Sequence, residues 1–282
     1  MSRPTAVPLP RGVLGGPRAA APPVRLLLPW GLVGAAVLVQ IVYPLVADAV
    51  RTEITVASVL VFCAASVCDA ARVHGPRGAA VLLVVAGGGG LLVEAVGVHT
   101  GVPFGAYAYT GDLGAQVLGV PAVVPLAWTM MAWPALVVGR ALARRLPVAL
   151  VGGVALAAWD LFLDPQMVDA GHWRWAEPSP ALPLVPGVPL TNYAGWLLVA
   201  VLLVGALDRL LEPEGEQPSG PAAALYLWVY GSSVLAHAAF FDLPGSALVG
   251  GLLMGLVAVP FARVVLSRAR APGRPARSGR TR

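Results

Sequence analysis

Residues 79–98 read AAVLLVVAGGGGLLVEAVGV, twenty positions with a single ionisable group, Glu94. About 20 mostly apolar residues suffice for a helix to cross the hydrocarbon core of a bilayer. The stretch therefore predicts a membrane-spanning helix. Moving outward in both directions, the same pattern recurs at about 26–46, 54–71, 121–140, 147–163, 191–211, 222–241 and 246–266. The run at 147–163 is short, and 54–71 ends in polar residues. Of the 282 residues, 57% are hydrophobic and only 12% charged, and the mean hydropathy is +0.77. A soluble domain carries about 25% charged residues. The expected fold class is all-α: a polytopic membrane helix bundle of about eight transmembrane helices over 26–266. A Pro-, Gly-, Ala- and Arg-rich segment at 1–25 and an Arg-rich segment at 267–282 are expected to be disordered cytoplasmic tails.

Every basic residue is arginine, and the formal net charge is +5. Such a charge suggests nucleic acid, but these arginines sit in tails and short loops, where they report topology instead. With eight spans, both termini share one side. Ten arginines between Arg3 and Arg209 and seven from Arg263 onward, 17 of the 19, fall on that side, against Arg51 and Arg174 on the other. The expected location is the cell membrane, multi-pass, with both termini cytoplasmic. Cys63 and Cys68 are five residues apart in one apolar helix and do not face each other, so neither a disulfide nor a metal site is expected of them.

Two outer loops, about 99–120 and 164–190, are long for a compact bundle. They are rich in Tyr, Trp, Phe and His, and are expected to fold over the outer mouth. The candidate chemistry lies at the same level. Glu94 is about four residues inside the outer end of its helix, roughly 6 Å deep at ~1.5 Å per residue. An ionisable residue inside a span is a functional candidate by default; the plain alternative is helix packing. Gly87 to Gly90 beside it permit close approach of a neighbouring helix or a flat ligand. Asp160 and Asp164, in WDLFLDP, project from one helix face, with Pro165 expected to end the helix and leave the pair near solvent. Paired carboxyl groups divide labour, one giving a proton while the other takes one from water. The alternative is two solvated acids at a helix end. His99 and His172 are candidates for proton transfer or for orienting a carboxylate, although loop histidines commonly make only structural hydrogen bonds. Glu94, His99, Asp160 and His172 match no metal-ligand spacing, so no metal is expected.

Phe104, Tyr107, Tyr109, Trp128, Trp159, Trp173, Trp175 and Trp196 gather at this level. They form either an interfacial aromatic belt or a pocket lining whose ring faces steady a cation. Asn192 is a helix cap or a pocket residue. Asp69, Asp242 and His237 are weaker candidates, for polar packing.

The strings TGVPFGAYAYTGDLG, GVPAVVPLAW, WDLFLDPQM, GHWRW and PLTNYAGW resemble the membrane carotenoid-biosynthesis proteins, among them carotenoid 1',2'-hydratases and bisanhydrobacterioruberin hydratases. The resemblance is close over about 90–200 and looser elsewhere. It implies a multi-span enzyme that adds water to a terminal isoprenoid C=C of an acyclic carotenoid, with water and the lipid bilayer as further partners and other enzymes of the same pathway as possible neighbours. Such a reaction needs a proton donor, a base for water and aromatic faces between them. In this reading Glu94 protonates the alkene and the Asp160/Asp164 pair activates water. No redox cofactor is required and no nucleotide-binding glycine loop is present. Three alternatives stand. One is a carotenoid cyclase or isomerase sharing the protonation step. Another is an Mg-dependent prenyltransferase using the DxxxD pair. The third is a non-catalytic carotenoid-binding protein.

Overall fold

A computed structural model describes residues 23–213 and 218–270. The expected tails lie outside the described residues except at their inner ends, which are helical rather than disordered. Helix α1 spans Pro23–Val42, and helix α8 (Pro244–Arg270) runs past the expected boundary at 266.

Between these, α2 (Asp48–Leu82) passes through a π-helical turn, Leu83–Gly88, into α3 (Gly89–Thr100). Val50–Thr100 counts as one helical stretch of 51 residues. Straight, it would be about 77 Å long at ~1.5 Å per residue, more than twice the roughly 30 Å core of a bilayer. The backbone at Gly75, φ 69° and ψ −169°, breaks it. That region is open essentially to glycine alone. Pro76 follows, which fits the first turn of a new helix. The chain doubles back here. The Ala70 carbonyl oxygen lies 2.6 Å from where a Gly78 Cβ would stand, and Thr55 and Glu94, far apart in sequence, line one cavity. Among the described residues seven helices are long and apolar enough to cross a membrane. Counting the doubled-back one as two passes recovers the expected eight.

The remaining helices are α4 (Val123–Leu142), α5 (Val148–Asp169), α6 (Leu190–Leu210) and α7 (Gly220–Ala239). Contrary to expectation, Pro165 does not end α5, which continues to Asp169. A proline inside a helix strands the carbonyl four residues earlier. Here that carbonyl, on Leu161, accepts a bond from the Ser246 hydroxyl of α8 at 2.6 Å. Pro134 in α4 is accommodated in the same way: the Met130 carbonyl accepts from Ser66 of α2 at 2.7 Å. Both serines are buried. Hydroxyls of neighbouring helices are what make proline tolerable inside a membrane span.

The two ends of the bundle differ. At one end Arg72 pairs with Asp69 at 2.7 Å, Arg140 pairs with Asp208 at 2.9 Å, and Arg77 donates to the Leu210 carbonyl. Asp69 also accepts from Trp133 and Ser219, so it serves polar packing as expected. At the other end the two long loops form short antiparallel ribbons, a β component the all-α expectation omitted. Strand β1 (Tyr107–Tyr109) pairs with a strand in the second loop, Trp173–Trp175. Within the first loop, β2 (Gln116–Val117) pairs with β3 (Val120–Pro121). Trp173–Trp175 is β4, followed by the β5 (Ala181–Leu182) and β6 (Val185–Pro189) hairpin.

If the serines stand in for the missing proline bonds, Ser66→Ala and Ser246→Ala each strand a buried carbonyl. Each should then cost about 1–3 kcal/mol, read as a lower midpoint of thermal unfolding in detergent. An unchanged midpoint for both would show that the prolines need no such partner.

Candidate active site

Glu94 is 5% exposed, and the residues one turn to either side of it on the same face are Gly90 and Gly97. A Cβ on Gly90 would stand 2.7 Å from Trp128, and one on Gly97 would stand 2.9 Å from both Phe104 and the Tyr107 hydroxyl. The missing side chains let these rings close on the carboxyl group. Trp128 Nε1 donates to Oε1 at 3.0 Å, while the hydroxyls of Tyr107 and Tyr109 donate to Oε2 at 2.5 and 2.9 Å. Burial, and then the neighbouring Glu94 charge, push both phenols well above their ordinary range. They therefore remain protonated donors. The other glycines at this level admit Thr129 and Leu203, which is helix packing.

Strands β1 and β4 carry the site across to α5. Their register sets Tyr107 opposite Trp175 and Tyr109 opposite Trp173, and the alternation turns Ala108 and Arg174 outward. Tyr109 and Trp173 meet edge to face at 5.7 Å. Trp173 Nε1 then donates to Asp164 Oδ1 at 3.1 Å, and Trp175 Nε1 to the Phe104 carbonyl at 2.9 Å.

Asp160 and Asp164 are 0% and 3% exposed. They are not the solvent-side pair the sequence suggested, because the second loop and α6 cover them. Their carboxyl groups lie within hydrogen-bonding reach of each other. Asn192 does not cap α6. Its amide donates to Asp160 Oδ2 at 2.9 Å and also to Asp164 Oδ2. Asp160 Oδ1 and the Tyr193 hydroxyl have no hydrogen-bond partner among the described residues.

Glu94 and Asp164 both line one cavity of about 80 Å³, together with Asn192 and all eight aromatics singled out from the sequence. Trp128 and Trp196 stack at 3.9 Å and 15°, and Trp159 stands edge-on to Trp196 at 6.0 Å. A cation formed here meets ring faces and two acid sites.

Asp160 sits behind Asp164 rather than on the cavity wall. The two histidines are not brought in. His99 ends α3, exposed, with Nδ1 bonded to the Ala95 carbonyl at 2.7 Å. His172 is buried before β4, its Nδ1 has no partner among the described residues, and burial lowers its pKa, keeping it neutral. His237 bonds the carbonyls of Ser233 and Phe162, and Asp242 is exposed at a turn. Sequence reading missed the apolar wall: Thr55 and Val59 of α2, Met130, Leu163 and Met167. Only the fold-back at Gly75 brings α2 here, and apolar side chains in a span carry no signal of their own. Among the described residues no three His, Cys, Asp or Glu side chains converge as metal ligands.

Residues 53–238 match the family described as carotenoid biosynthesis protein. A bisanhydrobacterioruberin hydratase of Haloarcula japonica is 38% identical over 120 residues, which make up 39% of this chain and 39% of that protein. The likeness thus spans well under half of that relative's length. No solved structure matches.

Gly90→Ala is expected to push Trp128 off Glu94, with an overpacking cost of about 1–3 kcal/mol. Gly88, whose added Cβ would meet nothing within 4 Å, is the control. Thermal unfolding that ranks the two variants equally would contradict the packing described.

Proposed function

We propose, on the premise that the chain belongs to the carotenoid biosynthesis protein family, that it is a membrane enzyme hydrating a terminal isoprenoid double bond of an acyclic carotenoid. The activity named for the Haloarcula relative supports this reading. The observation that carries it is the contrast between two acid sites on one aromatic cavity. The two oxygens of Glu94 accept from three donors, whereas the four of Asp160 and Asp164 have only Asn192 and Trp173 as donors and the two groups reach each other. Three donated bonds suit a carboxylate. Two carboxyl groups in contact suit a shared proton. This allocation reverses the one suggested by the sequence.

In the proposed reaction Asp164, facing the cavity, gives a proton to the less substituted alkene carbon, with Asp160 behind it as the other half of the pair. The π electrons form the new C–H bond, and the tertiary carbon becomes a cation. That cation lies between the carboxyl sites and the faces of Trp128, Trp196 and Trp159. Water adds through oxygen and loses a proton to Glu94. One proton enters carbon and one leaves water, so the net charge of the site is conserved; solvent returns the proton from Glu94 to the aspartates. The arginine asymmetry supports cytoplasmic termini, which reporter fusions at either end would read.

The test is turnover of an acyclic carotenoid by purified protein in D₂O. Wild type should add one D₂O, leaving one non-exchangeable deuterium on carbon. Asp164→Asn should lose both hydration and deuterium exchange into the polyene, by about 10²–10⁴-fold. Glu94→Gln should lose hydration but keep exchange, because the cation still forms and returns its proton. The opposite pattern would restore Glu94 as the donor. An isomer from wild type with no added oxygen, heavier only by deuterium taken up on carbon, would indicate a cyclase or isomerase, and a polyene that gains neither oxygen nor deuterium a carrier.

A further inference from the structure

A second cavity, of about 130 Å³, lies between α1, α2, α5 and α7. It shares Thr55, Val59, Met130, Trp159, Leu163 and Met167 with the aromatic cavity. Two of these shared residues are methionines, whose side chains adapt their shape readily. The volumes bear on what fits. A non-hydrogen atom the size of water needs about 10–15 Å³ of such space. The aromatic cavity of about 80 Å³ then accommodates about five to eight atoms, on the scale of one isoprene unit, and the second, of about 130 Å³, about nine to thirteen more. A long polyene reacting at its end has to continue somewhere.

Five of the polar side chains of the second cavity are already engaged within the protein. Gln40 bonds both Ser58 and Trp228, both ring nitrogens of His237 meet backbone carbonyls, and Thr55 and Ser232 donate to carbonyls of their own helices. With these groups satisfied internally, the walls favour an apolar occupant. Two of the walls, α1 and α7, turn exposed Leu38, Ile41 and Leu235 away from the bundle, so a chain leaving between them enters lipid.

We infer that this second cavity is the channel for the extended apolar chain of the substrate, continuous with the aromatic cavity through the Met130–Met167 partition. The inference rests on the hydration reading for which end of the chain reacts, but not for the binding itself. The shared chemistry is a long apolar chain, and a bilayer acyl chain is the other source of it.

The test compares two probes on purified protein in detergent: a full-length acyclic carotenoid and a short isoprenoid alcohol of about two isoprene units with the same end. Binding is measured by quenching of tryptophan fluorescence, and turnover separately. Ala236→Phe blocks the second cavity alone, since Ala236 does not line the first. The ratio of long-probe to short-probe affinity should fall at least tenfold; Ser233→Val supplies the same ratio with a smaller block if the larger one misfolds. A ratio unchanged in both variants overturns the channel. So does a co-purifying phospholipid, detected by native mass spectrometry, that the carotenoid fails to displace. A length-dependent loss of binding without any hydration leaves the channel standing and removes the hydratase reading. Hydration by wild type with an unchanged ratio does the reverse.

Discussion

A carboxyl group placed among indole and phenol rings loses its hydration, a cost of several kcal/mol unless hydrogen bonds replace the lost water. At Glu94 the replacements come from two separate elements, Tyr107 and Tyr109 of β1 and Trp128 of α4. Much of the loop-bearing half of the bundle follows from that requirement. Gly90 and Gly97 of α3 stand at the positions where those rings close in. The first loop has to return over the mouth to deliver the tyrosines. Strand β4 fixes that loop by pairing with it, and through Trp173 it reaches Asp164. One three-residue ribbon thus ties the two acid sites together.

In the proposed reaction, hydrogen-bond supply is what separates the protonation states. Glu94 is supplied with donors. The aspartates on α5 have Asn192 and Trp173 between them, and Asp160 Oδ1 has no partner among the described residues. Groups so arranged differ in which will give a proton and which will take one, without a metal or a cofactor being invoked. The stacked Trp128 and Trp196 supply the surface on which a cation is least costly.

Much of this was legible in the sequence. YAY and WRW place large rings at every second position, which is why Tyr107, Tyr109, Trp173 and Trp175 all reached the cavity. Glu94 stood out as an acid inside a span. What was not legible depends on contacts between distant segments. The cover over Asp160 and Asp164 comes from α6 and the second loop, so a pair that read as solvated is buried. Pro165 read as a helix stop because its remedy, Ser246, is 81 positions away. Thr55 and Val59 became part of the wall only through the reversal at Gly75. The placement of the histidines was not legible, because a loop histidine looks the same in sequence whether or not its ring lines a cavity, and neither His99 nor His172 lines this one.

The central claim is where the proton resides before reaction: on the aspartate pair and not on Glu94. Infrared difference spectroscopy of purified protein reads it directly, since a protonated carboxylic acid has a carbonyl stretch that a carboxylate lacks and that shifts in D₂O. Wild type should show one such buried band. It should persist in Glu94→Gln and disappear or move in Asp164→Asn and Asp160→Asn. A band that vanishes in Glu94→Gln and survives in both aspartate variants would contradict the account.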